Sequence, residues 1–319
     1  MNVAIWAEQD VVERMGVLDV KAALREAFAG LASGATVQPP QTVTVFPGDH
    51  GDCIFYPGAL WDRKLIGVKL SPYLSQRAQE GKYPVTAYTV ILSGETGEPV
   101  LLCDSMALTT ERTAATTSLA LDYLIPDGAR TLAVVGAGKV GIAHLRYAAA
   151  QHDWDAIRVF SPALADSSAE AHGQRRAALD ALGLDVQTPA DVRGTVEGAD
   201  VVLLCSSSGT AIVDDAWLGD RVTVTSTTTN VPRAHEIAPD TLGRYEVFCD
   251  FRQTAPLSAG EMVLAREELG WDPSEIVADL PELVTGKHPG VSGTAGRVFF
   301  RSIGLGLEDL AIASLLLDS

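Results

Sequence analysis

Cysteine is scarce in this chain of 319 residues: Cys53, Cys103, Cys205 and Cys249 stand far apart with no paired spacing. Two of them lie inside apolar runs, so neither a disulfide framework nor a thiolate metal site is suggested, and a reduced, cytoplasmic setting is expected. Positive charge is also short. Lys and Arg total 24 against 41 Asp and Glu, a formal charge of -17, which argues against a nucleic-acid partner and against an anionic membrane surface. The surplus acid reads as a solvated surface. No apolar run is long enough to span a bilayer, and Met1-Asn2-Val3-Ala4-Ile5-Trp6 meets Glu8 and Asp10 at once, which leaves no room for a signal sequence. Internal repeats are absent, and the one biased tract, Thr223 to Thr229, is too short to be a disordered linker.

What is present is a hydrophobic content of 47%, ample for packed cores, in a chain long enough that two domains are the natural expectation. The stretch Thr131-Leu132-Ala133-Val134-Val135-Gly136-Ala137-Gly138-Lys139-Val140-Gly141 organises the rest. A short Val-rich run after Pro126-Asp127-Gly128 reads as a buried parallel strand, and the residues after Gly138 read as a helix. In a dinucleotide-binding fold the first glycine permits a tight turn, the second lets the backbone approach a pyrophosphate, and the third lets helix and strand pack closely. The helix N-terminus then offers free N–H groups to the phosphates. Gly136, Gly138, Lys139, Val140 and Gly141 are therefore candidate cofactor residues.

Upstream, Asp19 caps a helix that Gly30 and Gly34 stop, with Val20, Leu24, Ala27 and Phe28 at helical spacing. Thr42–Phe46, Cys53–Tyr56, Leu65–Leu70, Thr86–Leu92 and Pro99–Cys103 read as five short strands, most economically an antiparallel sheet. Ser105 to Leu121 reads as a helix leading into the second domain. From Thr131 the rhythm is strand then helix, with strands expected at Leu132–Val135, Ile157–Phe160, Val201–Cys205, Val222–Thr225 and Val247–Cys249. Glu261 to Leu283 reads as amphipathic helix, and a last helix runs from Gly304 to Leu317.

Several stretches, in order and at matching separation, resemble the ornithine cyclodeaminase/mu-crystallin family: Gly67-Val68-Lys69-Leu70, Thr110-Glu111-Arg112-Thr113-Ala114-Ala115-Thr116, the glycine turn, Asn230-Val231-Pro232-Arg233-Ala234-His235-Glu236-Ile237, and Phe300-Arg301-Ser302-Ile303-Gly304-Leu305-Gly306-Leu307-Glu308-Asp309-Leu310-Ala311. The resemblance covers nearly the whole chain. It implies an α/β fold: a Rossmann-type parallel-sheet domain, residues 119–302, and a discontinuous α+β domain, residues 1–118 with 303–319, which binds substrate and forms a homodimer. A nicotinamide cofactor at the cleft between them is implied as well. Members are cyclodeaminases, amino-acid dehydrogenases, ketimine reductases and opine-type reductases.

An enzyme of this kind must hold a carboxylate, orient an α-carbon, and manage a proton at nitrogen. Lys69 ends an apolar strand, either as a snorkelling edge residue or as a buried cation awaiting an anion; the resemblance implies that it contacts the substrate carboxylate. Arg112 is either an exposed helical charge or, as its motif implies, a second carboxylate holder suited by its bidentate fork. Two departures stand out. Where the family usually carries an arginine, this chain has Pro39-Pro40-Gln41, so Gln41 offers a hydrogen bond without charge. Where cyclodeaminases place an aspartate, this chain has Asn230, and an amide cannot take a proton as a carboxylate can. Both favour a reductase or dehydrogenase acting on C=N or CH–NH of an amino or imino acid. Lys69 or an ordered water is then the candidate proton donor and Asn230 orients the nitrogen, while His235 reads as a solvated turn residue. The alternatives are a cyclodeaminase and a non-catalytic cofactor-binding protein of the mu-crystallin type.

The second strand of the βαβ unit ends Val159-Phe160-Ser161-Pro162, with no acid until Asp166. An acid there would accept the ribose hydroxyls of NAD(H); its absence favours NADP(H) and makes Ser161 a candidate phosphate contact. Ser206 and Ser207, after Val201–Cys205, and Ser302, before the last helix, complete the expected cofactor contacts.

Overall fold

The computed structural model describes residues 3–228, 233–291 and 296–318. It divides into two compact units, Met1–Arg112 with Gly304–Ser319, and Thr113–Ile303. The division falls inside the helix Met106–Leu124, between Arg112 and Thr113 rather than at residue 118.

In the first unit β1 (Ala4–Trp6), β2 (Thr36–Val37), β3 (Thr42–Val45), β4 (Gly51–Leu60), β5 (Leu65–Leu74), β6 (Tyr88–Ser93) and β7 (Pro99–Asp104) form one sheet. β4 to β7 pair antiparallel in sequence, β2 and β3 both pair with β4, and β1 closes the far edge parallel to β7. The sheet is therefore mixed, not purely antiparallel as expected. Alternation in a sequence tells which face a side chain takes, not which way a three-residue edge strand runs.

Asp19 caps the helix Val20–Ser33 by accepting the Ala22 N–H at 3.0 Å, and Gly34, at φ 78°, ends it in the left-handed region. The last helix, Gly306–Leu315, packs on β4, β5, β6 and that helix. Glycine is required at its start, because a Cβ on Gly306 would lie 2.2 Å from the Pro57 carbonyl oxygen. The helix thereby lies flat against the strand that precedes Lys69.

In the second unit β8 (Thr131–Val135), β9 (Ala156–Phe160), β10 (Val201–Leu204), β11 (Val222–Ser226), β12 (Glu246–Cys249), β13 (Ile276–Asp279) and β14 (Arg297–Arg301) are all parallel, in the order β13-β12-β14-β11-β10-β8-β9. The Val-Val-Leu-Leu of β10 is fully buried, as a sheet covered on both faces demands. Leu132, Val134, Leu145, Val159, Val201 and Leu203 share its core. Strand order reverses between β8 and β10, and at such a switch point open α/β sheets bind ligands outside the carboxyl ends of the strands.

The expected helix from Glu261 to Leu283 is corrected. Helix Gly260–Leu269 stops at Gly270, whose φ is 75°, then a turn begins at Pro273, β13 follows, and Asp279 caps a short helix Leu280–Val284. A left-handed glycine and two prolines outweigh apolar periodicity here. Among the described residues no helix is long and apolar enough to cross a membrane.

Candidate active site

Lys69 and Arg112 come together in the first unit on two carboxylates of the last helix. Lys69 Nζ lies 2.9 Å from Asp309 Oδ2 and 3.4 Å from Thr109 Oγ1, with the Tyr56 ring 4.2 Å below it. Arg112 donates from Nε to Asp309 Oδ1 and from Nη1 to Glu308 Oε2, both at 3.1 Å. All four are buried: Lys69 is 2% exposed, Arg112 4%, Glu308 and Asp309 0%. Burial, with the Arg112 charge close by, pulls the Lys69 ammonium down to about 8 against the attraction of Asp309. Burial would lower Arg112 too, but Asp309 and Glu308 outweigh it and hold its pKa above the ordinary value. Gly304, at φ 74°, leaves the space that the guanidinium fills, since a Cβ there would fall 2.1 Å from Arg112 Nη1.

The register across the sheet explains how the site is assembled. Tyr56, Lys69, Thr89 and Cys103 sit opposite one another on successive strands and so share the face under the last helix. Gln41 directly precedes β3, whose Thr42 pairs with Phe55. It is half-buried at the mouth of β3.

In the second unit the three glycines of the turn have three different surroundings. A Cβ on Gly136 (φ 121°) would lie 2.4 Å from the Cys205 carbonyl oxygen, and one on Gly141 would lie 1.9 Å from the Gly136 oxygen. A Cβ on Gly138 would meet nothing within 4 Å. The outer two are therefore needed for protein packing, while the middle one keeps open the space that faces the helix start. Gly138 is the N-cap of the helix Lys139–Gln151 and has no side-chain cap, so its first N–H groups remain for a ligand. Lys139 is exposed and Val140 half-buried at that helix start. These features fit a dinucleotide pyrophosphate.

The expected serine contacts divide. Ser161 caps the short helix Pro162–Ala165, accepting the Leu164 N–H at 3.3 Å. Asp166, the first acid after β9, is occupied by the N–H and hydroxyl of Ser168 at 2.9 and 2.6 Å. Ser207 is exposed. Ser206 instead donates both its N–H and its hydroxyl to Glu236 Oε1 at 2.7 Å. Ser302 donates to Asp250 Oδ2 at 3.2 Å. The hydroxyls of Ser206 and Ser302 thus organise the strand ends. Asn230 lies outside the described residues. His235 Nδ1 sits 2.8 Å from the Arg233 carbonyl oxygen, a local turn contact.

Sequence reasoning passed over Glu308, Asp309, Tyr56 and Glu236. The signal for the first two was visible: adjacent acids inside Gly-Leu-Glu-Asp-Leu-Ala-Ile-Ala, an otherwise apolar helix, must meet cations if the helix is buried.

The model of the ornithine cyclodeaminase/mu-crystallin family matches residues 1–319. The chain belongs to this family. One relative, the NAD(P)H-dependent anabolic L-arginine dehydrogenase of Pseudomonas aeruginosa, is 43% identical over 312 residues, 98% of this chain and 96% of that protein. Among solved structures, the Δ1-pyrroline-2-carboxylate reductase of Thermococcus litoralis, in complex with NADH and L-proline, superposes with a TM-score of 0.89 at 21% identity, covering 99% of this chain and 97% of that one. An archaeal alanine dehydrogenase dimer with bound NAD does so with a TM-score of 0.88 at 20% identity, covering 100% and 96%. The family fold accordingly accounts for both sheets of this chain.

Proposed function

We propose that this family member is a nicotinamide-dependent oxidoreductase acting on the C–N bond of an amino-acid-derived substrate, reducing C=N or oxidising CH–NH. The observation that carries this is the 43% identity, over 98% of the chain, to an NAD(P)H-dependent L-arginine dehydrogenase. L-Arginine and its imino acid are accordingly the first substrates to try. Gly136, Gly138, Lys139, Val140 and Gly141 hold the pyrophosphate in this reading. NADP(H) is favoured over NAD(H), because β9 is followed by Ser161 and Pro162, with no acid until Asp166.

Lys69 and Arg112 hold the substrate carboxylate, with Tyr56 opposite Lys69 in register and Gln41 as a further, uncharged contact. Two cations already face two carboxylates, so the group is neutral before substrate arrives. An added carboxylate is accommodated best when its own molecule carries a positive nitrogen, as a zwitterionic amino acid and an iminium carboxylate both do. A bound nicotinamide supplies or accepts the hydride. Lys69, with its pKa near 8, carries a proton at neutral pH and passes it to the substrate nitrogen, which Asn230 orients. No carboxylate base is then required.

A homodimer accompanies this reading. The sheet face turned away from the last helix carries Ile5 at 71% exposure, Tyr88 at 44% and Leu102 at 37%, next to half-buried Val68, Leu70 and Val90. Ile5, Leu102, Val90 and Val68 stand opposite one another in register. Such a contiguous apolar row fits a second copy of the chain. Four unpaired thiols agree with a cytoplasmic setting.

The test is absorbance of the reduced nicotinamide with L-arginine and other L-amino acids plus NADP+ or NAD+, and with 2-oxo acids plus ammonia or cyclic imines in reverse. Stoichiometric cofactor turnover is expected. Ammonia release from a diamino acid without net cofactor change would replace this reading with cyclodeamination, and binding without turnover on any substrate would leave the non-catalytic alternative.

A further inference from the structure

Three donors converge on Glu236, which is fully buried and belongs to neither the Lys69 group nor the glycine turn. The Ser206 N–H and hydroxyl each donate to Oε1 at 2.7 Å, and the Ser226 hydroxyl donates to Oε2 at 2.8 Å. Ser206 follows β10 and Ser226 ends β11, its neighbour in the sheet. Arg301, at the end of β14 on the other side of β11, donates from Nη1 to Ser226 Oγ at 3.4 Å and sits 3.0 Å from Glu261, both side chains fully buried. One carboxylate thus ties the carboxyl ends of two adjacent strands beside the switch point.

Burying a carboxylate is expensive, and apolar residues can join strand ends without that cost. What the carboxylate adds is direction: it fixes a backbone N–H and a hydroxyl at set positions. The fixed backbone abuts the glycine turn, since a Cβ on Gly136 would lie 3.2 Å from the Ser206 nitrogen. The Ser206 hydroxyl in turn accepts the Ser208 N–H at 3.2 Å, which propagates the constraint along the turn after β10.

We infer that Glu236 is a positioning residue for the dinucleotide: through Ser206 it sets the Ser206–Ser208 turn against Gly136, and through Ser226 it ties that turn to the end of β11. The inference rests on the nicotinamide reading above. It adds a residue that touches no cofactor atom yet controls cofactor affinity.

The test is the Kd of NADPH and NADH for the purified full chain, by fluorescence titration, in wild type, Glu236→Ala, Glu236→Gln, Ser206→Ala and the Glu236→Ala/Ser206→Ala double variant. Glu236→Ala is expected to raise Kd about tenfold, Glu236→Gln to hold it within about threefold because the amide oxygen still accepts from Ser206, and the double variant to do no worse than the larger single change. A Glu236→Ala Kd within about twofold of wild type, or fully additive effects, overturns the inference. Should Glu236→Ala fail to fold, Ser206→Ala decides, and a Kd within about twofold of wild type overturns it equally. Wild-type protein that binds neither nucleotide removes the nicotinamide reading and this inference together, whereas binding that ignores Glu236 removes the inference alone.

Discussion

Lys69 shows how much one side chain's environment adds to its identity. A lysine at the end of an apolar strand has two readings, and the structure shows it buried on Asp309 with Arg112 sharing the same carboxylate. Replacing Lys69 with Met should cut kcat by about 10³-fold or more, the order general acid catalysis and carboxylate orientation supply. The NADPH Kd should stay within about twofold of wild type, so a Lys69→Met protein that turns over normally overturns the assignment. The lowered pKa sets a sign as well. The proposed role uses the protonated form of Lys69, so kcat/KM for imine reduction should hold below pH 8 and fall as pH rises through about 8. Lys69→Arg keeps the charge but does not give up its proton in that range, so its kcat should fall nearly as far as that of Lys69→Met while KM rises less. That adjacent acids in an apolar helix need cations was legible in the sequence; which cations they meet was not, because Glu308 and Asp309 are brought to Lys69 and Arg112 from the far end of the chain.

At the scale of elements the glycine turn separates what spacing reveals from what it hides. The interval between Gly136, Gly138 and Gly141 pointed to a strand, a turn and a helix, and the structure has them there. Which glycine serves the fold and which serves a ligand depends on neighbours that the interval does not name. Gly141→Ala drives a Cβ to 1.9 Å from the Gly136 carbonyl oxygen and should cost about 3 kcal/mol of stability, seen as a lower Tm without cofactor. Gly138→Ala meets open space and should leave that Tm nearly unchanged while weakening NADPH binding about tenfold or more, because the methyl occupies the pyrophosphate's approach. A Gly138→Ala protein with wild-type affinity would show that no phosphate group approaches there. The stretch from Glu261 to Leu283 teaches the reverse lesson. Its apolar spacing suits a helix, but Gly270, Pro273 and Pro281 cut it into four short elements, and local backbone geometry prevailed over periodicity.

For the whole molecule, the unpartnered apolar row on the first sheet makes a definite demand. Leu102→Glu places a charge among Ile5, Val68 and Val90, and should convert a dimer to a monomer by light scattering while its circular dichroism stays that of wild type. A wild-type chain that is monomeric at micromolar concentration would sink the dimer proposal. By itself the sequence determined the parallel-sheet unit, the strand–glycine turn–helix and the absence of an acid directly after the second strand, because each of these is local: a run, a spacing, a residue type. Only the tertiary structure decided that the first sheet is mixed, that the last helix lends Glu308 and Asp309 to Lys69 and Arg112, and that Ser206 serves Glu236. Those facts are pairings between residues far apart in the chain, and pairing partners are fixed by how surfaces pack, which no local pattern carries.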